Sequence, residues 1–136
     1  MKHIFHTIQH TARAATVLLL ALLAAQTAWA QKTMTVIDAD GLEAAFNDED
    51  VSVINVTNNI TGVGYFILNR ALTINLNGHT ISGDYLSFNV DPDGSLTING
   101  GGQGGSVGNI ISGYADRPAI YNNGTVTLSH VNITTN

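Results

Sequence analysis

The sequence predicts an all-β solenoid of about four rungs, entered through a short N-terminal strand and helix. Three observations carry this. One phrase recurs four times, its apolar and polar residues alternate with a period of two, and a helix-capping pattern precedes the first copy. The chain has 136 residues, a formal net charge of −5 and no cysteine. One modest domain is therefore expected, with no disulfide framework and no thiolate chemistry. The acidic balance speaks against nucleic acid and anionic membrane surfaces as partners.

Residues 1–30 are expected to be a cleaved secretory signal peptide. Lys2 and Arg13 supply positive charge, an apolar run covers 14–25, and Ala28-Trp29-Ala30 offers the small-x-small cleavage pattern. That run is too short for a bilayer core, which needs about 20 residues, so no integral membrane segment is expected after cleavage. The remaining chain, 31–136, holds three basic residues (Lys32, Arg70, Arg117) against ten acidic ones, a side-chain balance of −7.

Residues 31–50 read as an N-terminal cap. Thr33 to Ile37 form a strand pattern. Asp40 then offers an N-cap, with Glu43 three residues later completing a capping box. Leu42, Ala45 and Phe46 lie at helical spacing, so a short helix over 41–47 would cover one end of the solenoid. The acidic run Asp48-Glu49-Asp50 opposes the helix dipole and should end it.

Residues 51–136 hold the rungs. Val53-Ile54-Asn55-Val56 aligns with Thr73-Ile74-Asn75-Leu76, then with Thr97-Ile98-Asn99 and Thr127-Leu128-Ser129. Anchored on Ile54, Ile74, Ile98 and Leu128, the copies are spaced by 20, 24 and 30 residues. A second phrase follows each copy: Asn109-Ile110-Ile111-Ser112-Gly113 echoes His79 to Gly83, and Asn132-Ile133-Thr134 repeats it. A unit this short cannot bury its own apolar side, so the units should stack in parallel into one column of Ile, Leu and Val. Asp93-Gly94 and Asn123-Gly124 are hairpin signals and keep an antiparallel sandwich open as the rival. The chain stops at Asn136 directly after a strand phrase, and the solenoid is expected to continue into further rungs of a longer chain.

The outward positions also repeat. Asn55, Asn75, Asn99 and Ser129 are equivalent, as are Thr73, Thr97 and Thr127. Stacked amides can hydrogen-bond along such a column and hold its register, so these seven residues are expected to form structural ladders. A flat threonine face could also meet a sugar polymer, another protein or ice; for ice, Thr-x-Thr would be needed at most rungs and within them occurs only at Thr125-Val126-Thr127.

Chemistry finds little to stand on. Asp38-Ala39-Asp40-Gly41 and Asp91-Pro92-Asp93-Gly94 share the start of a calcium loop without its remaining ligands. The glycine-rich segment 100–106 lacks the lysine of a phosphate loop and reads as a flexible connection. His79 reads as a turn histidine, and Arg117 as part of a turn or of a local contact with Asp116. The four Asn-x-Thr matches follow from composition, and no glycan is assigned to them. No catalytic, cofactor-binding or metal-ligating residue is assigned, and no cofactor is expected.

The phrases from Ala71 to Gly83 and from Ala119 to Leu128 resemble right-handed parallel β-helix proteins of the pectin-lyase-like superfamily. The likeness is to N-terminal parts of bacterial surface proteins such as autotransporter passengers and adhesins. It implies a right-handed parallel β-helix in a secreted or cell-surface, non-catalytic, adhesin-like or structural module. A glycan or a host or cell-surface protein would be its partner. The alternative it implies is the N-terminal part of a polysaccharide-degrading enzyme. The Gly-His-Gly and Arg-x-Lys elements of the superfamily's glycosidases are absent, Gly78-His79-Thr80 being the only Gly-His pair.

Overall fold

Period-two alternation and β-branched residues produce strands along residues 31–136, which are the residues the computed structural model describes. The expected signal segment 1–30 lies outside them. Eleven strands are present: β1 (Lys32–Val36), β2 (Val51–Val56), β3 (Tyr65–Leu68), β4 (Ala71–Asn75), β5 (Thr80–Gly83), β6 (Ser87–Val90), β7 (Ser95–Asn99), β8 (Gly108–Ser112), β9 (Ile120–Asn122), β10 (Thr125–Ser129) and β11 (Val131–Thr135). One α-helix, α1 (Ala39–Asn47), joins β1 to β2.

The fold is mostly β and its sheets are parallel. One sheet has the order β1-β2-β4-β7-β10, a second β11-β8-β5 and a third β3-β6-β9. From β4 onward the chain visits the three sheets in one repeating order, and each visit adds the next strand. The first visit to the second sheet, between β2 and β3, is a single bridge from Ile60 to Ile81. No antiparallel pair occurs among the described strands, so the sandwich expectation fails.

The anchor residues pair as their spacing predicts. Ile54 faces Ile74, Ile74 faces Ile98, and Ile98 faces Leu128. The three isoleucines are fully buried, whereas Leu128 is 45% exposed because β10 is the last strand of its sheet among the described residues. Ile60, Ile81 and Ile110 build a second buried row, and Leu68 with Val90 a third.

In the second sheet the phrase alignment is off by one. Thr80 faces Asn109 and Ile81 faces Ile110, whereas the sequence echo sets His79 against Asn109 and Ile81 against Ile111. A one-residue slip turns every side chain to the opposite face. The observed register buries Ile81 with Ile110 and leaves Ile111 partly exposed, whereas the echo would pair Ile81 with Ile111 and turn Ile110 outward.

The two hairpin signals are corners between sheets. Residues 91–94 carry the chain from β6 to β7, and residues 123–124 from β9 to β10. Gly94 N–H closes the first corner on Asp91 O at 2.8 Å, and Thr125 N–H reaches Gly94 O in the circuit beside it at 3.0 Å. The corners stack so tightly that a Cβ on Gly124 would stand 2.3 Å from Asp91 O and 2.4 Å from Gly94 O. Glycine is therefore required there by close backbone approach rather than by a hairpin turn.

The cap differs from its prediction at its start. Asp38, not Asp40, is the N-cap: its backbone is extended and its carboxylate accepts Gly41 N–H at 2.8 Å. Asp40 falls in the first turn, where its charge complements the dipole. Leu42, Ala45 and Phe46 are buried, and the Phe46 ring stacks on Phe66 at 4.1 Å between centroids and lies 5.7 Å from Phe88. The helix ends at Asn47, with Asp48 as C-cap. Arg70 then donates to Ala45 O and Asp48 O, carbonyls that a helix C-terminus leaves open, and to Val51 O at the start of β2, all at 3.2 to 3.4 Å.

The glycine-rich segment is a shaped loop rather than a featureless linker. It contains a 3-10 turn at Gln103–Gly105, and Gly102 N–H is bound to Ser106 O at 3.0 Å. Gly78 N–H reaches Gly100 O at 2.9 Å, so the segment lies against the Asn77-Gly78 corner.

Candidate functional site

Parallel pairing places the expected ladder residues side by side. Asn55, Asn75, Asn99 and Ser129 are in register at the ends of β2, β4, β7 and β10. Asn75 Nδ2 donates to Asn55 Oδ1 at 2.8 Å, and Asn99 Nδ2 donates to Asn75 Oδ1 at 3.0 Å. Ser129 does not extend the chain of bonds. Its hydroxyl lies 2.8 Å from His130 Nδ1 instead. Thr73, Thr97 and Thr127 form a row on the outer face of the same sheet, with Val53 in the position beside Thr73.

A second polar ladder runs along the neighbouring sheet. Thr80 N–H donates to Asn59 Oδ1 at 2.9 Å, Asn109 Nδ2 to Thr80 Oγ1 at 3.2 Å, and Asn132 Nδ2 to Asn109 Oδ1 at 3.2 Å. The misaligned echo at 109–113 hides this ladder in the sequence, because it sets Asn109 against His79.

The third sheet carries a groove that no motif announces. All four tyrosines of the chain, Tyr65, Tyr85, Tyr114 and Tyr121, line it. Alternation turns Tyr65 outward on β3, because Leu68 takes the core, and Tyr121 outward on β9. Tyr85 lies in the turn after β5, where Leu86 N–H returns to Gly83 O. Tyr114 follows β8, its N–H held by Ser112 Oγ at 3.3 Å. The rings of Tyr85 and Tyr114 meet at 5.4 Å with a 49° tilt.

Arg117 stands at the middle of this face. Its guanidinium carbon is 5.5 Å from the Tyr114 ring centroid, within cation–π range, and its N–H closes a turn on Tyr114 O. The expected turn is there, with the ring of Tyr114 rather than Asp116 as the cation's contact. Buried Ser87 donates its hydroxyl to Pro118 O at 2.8 Å and fastens the Arg117 loop to β6.

The groove has two lobes. One, of about 300 Å³, is bounded by Tyr65, Tyr85, Ser87, Tyr114 and Arg117. The other, of about 330 Å³, adds Asn89, Asp116, Pro118 and Tyr121 and shares Tyr65, Ser87 and Arg117 with the first. Asn89 Oδ1 is buried in this lining and finds no donor among the described residues. Such a surface offers flat apolar rings edged by hydroxyls, one guanidinium and one carboxylate, Asp116. A sequence signal for it exists: Tyr65 and Tyr85 are 20 residues apart and Tyr85 and Tyr114 29 apart, close to the spacings of the strand phrases.

The other candidates take structural places. His79 sits at a corner, its N–H on Leu76 O at 2.8 Å and its carbonyl accepting Asn109 N–H at 3.1 Å. Among the described residues no group of three or more His, Asp or Glu converges as a metal site, and no described helix is long and apolar enough to cross a membrane. Lys32 and Asp48 form an ion pair that ties β1 to the end of α1. The hydrogen bond from Lys32 holds the Asp48 carboxyl below its ordinary range, and the same bond raises Lys32 above its own.

Comparison with known proteins yields no match among family models, curated proteins or solved structures.

Proposed function

We propose that residues 51–136 form a right-handed parallel β-helix of about four coils, and that the chain is an exported, non-catalytic surface module of adhesin-like or structural type. One observation carries the reading: three parallel sheets grow by one strand per circuit, in the same cyclic order, with Ile54, Ile74 and Ile98 in register in the core. Parallel crossovers of this kind are right-handed in nearly all proteins. Such a scaffold makes a stiff rod whose outer faces are free to differ from coil to coil. The signal pattern at 1–30 supports export to the cell surface or the medium.

The contact face in this reading is the tyrosine groove, with its single carboxylate. Canonical glycoside hydrolysis uses two carboxylates flanking the bond, so a lining with Asp116 alone favours holding a partner over cutting it. Expression of the full chain in a bacterial host, with protease added to intact cells, tests the reading. The expected product is surface-exposed or released, begins at Gln31, and leaves incubated polysaccharides uncut. Reducing ends that accumulate with time, or a chain retained inside the cell, would overturn it.

A further inference from the structure

We propose that the tyrosine groove is a binding site for a neutral oligosaccharide, two consecutive pyranose units occupying its two lobes. The inference rests on the reading of the groove as a contact face and names the ligand class. Its first support is the placement of the tyrosines. Four residues far apart in sequence, the only tyrosines of the chain, gather on one face. Tyr65, Tyr85 and Tyr121 keep 46%, 68% and 54% of their surface exposed. A core has no use for rings so exposed, and the phenol combines an apolar face with a polar tip. A pyranose ring is built the same way, with a C–H face and a rim of hydroxyls.

Preorganisation is the second support. Tyr65 and Tyr121 stand on β3 and β9, which both pair with β6, and the Ser87–Pro118 bond anchors the loop that carries Arg117. Little ordering is then left to be done on binding, and tyrosine adds contact area at a low entropic cost. Each lobe, about 300 and 330 Å³, is of the size that small-ligand sites occupy.

Charge decides which saccharide. Arg117 is the groove's one cation; its guanidinium already lies over Tyr114, and Asp116 is its neighbour in the chain. Residues 31–136 carry a side-chain balance of −7, so an anionic sugar would approach against the field of the whole molecule. A neutral chain meets no such barrier. Its hydroxyls would bond the phenol groups, the Arg117 guanidinium and the Asp116 carboxylate, and its C–H faces would lie on Tyr85 in one lobe and on Tyr121 in the other.

The test titrates the full chain with neutral oligosaccharides (gluco-, xylo- and manno-oligomers of two to six units) and with oligogalacturonate, by calorimetry and tyrosine emission. Every tyrosine lines the groove, so in the chain cleaved after Ala30, which lacks Trp29, emission reports the site directly. Saturable binding of a neutral oligomer is expected, with Tyr85→Ala and Tyr114→Ala each weakening it about tenfold or more at unchanged circular dichroism. Tyr121→Ala serves as a further exposed variant should Tyr114→Ala disturb its loop. No saturable response to any neutral oligomer, tighter binding of oligogalacturonate, or full affinity in folded tyrosine variants would overturn the proposal. A neutral oligomer that binds and is then cut would uphold the site and overturn the non-catalytic reading, so the two failures are distinct.

Discussion

Asn75 lies between two amides and serves both, accepting from Asn99 and donating to Asn55. Its neighbours in the ladder each lose one bond if it is removed, and all three side chains are only partly open to water. Asn75→Ala is therefore expected to lower stability by about 1–3 kcal/mol, roughly twice the loss from Asn55→Ala, which breaks one ladder bond. Urea denaturation of both variants checks this, and equal losses would show that the second ladder bond at Asn75 adds nothing to stability. These amides were legible in the sequence because ladder and repeat share one spacing. The tyrosine groove was not, although its spacings are similar. Tyr85 and Tyr114 come from turns of different length, and only the folded corners bring their rings to 5.4 Å. A period drawn from strands passes over residues that the turns carry.

The N-terminal element shows how capping and pairing combine. Helix α1 has nine residues, too few to be stable alone, so its ends must be held by neighbours. Asp38 holds the start, Arg70 reaches the last carbonyls from the following circuit, and Lys32 on β1 binds Asp48. The helix, its apolar face and its stop before the acidic run could be read in advance. The true N-cap could not, because Asp38 and Asp40 both satisfy the pattern and only the extended backbone at Asp38 decides between them. Arg70 was invisible for a different reason, since its partners are backbone carbonyls 19 to 25 residues away. The Lys32–Asp48 pair gives the element a pH signature. Asp48 is held low, so its contribution is present above the unfolded carboxylate range and is lost as pH falls through its lowered value. Lys32 is raised, so its contribution is complete below its ordinary value and is lost as pH rises through the folded one. Asp48→Asn should flatten the acid limb of the stability–pH curve, by an amount that shrinks in high salt because the pair is exposed. An acid limb identical to that of the parent protein would assign it to other carboxylates.

Across the whole molecule, burial falls away along the stack. In the first sheet Ile54, Ile74 and Ile98 are fully buried and Leu128 is 45% exposed; in the second, Ile81 and Ile110 are fully buried and Ile133 is 38% exposed. Among the described residues β9, β10 and β11 each have a neighbour on one side only, so each lacks half the cross-strand pairing of an interior strand. In a stack of this kind stability is close to a sum of unit and neighbour terms, and opening should begin where a neighbour is missing. The opposite end differs because α1 covers it: Phe46, Leu42 and Ala45 are buried beside Phe66 and Phe88. Amide hydrogen exchange should then be slowest in β2, β4 and β7 and fastest in β9, β10 and β11, each the last strand of its sheet. Substitution follows the same gradient. Ile98→Ala, in a filled interior, is expected to cost about 2–5 kcal/mol, whereas Leu128→Ala, at the same position one circuit later, should cost about 1 kcal/mol or less because half its surface is already in water. Comparable losses at the two sites, with uniform exchange along the stack, would mean that the circuits open as one unit and that the missing neighbour carries no energetic weight.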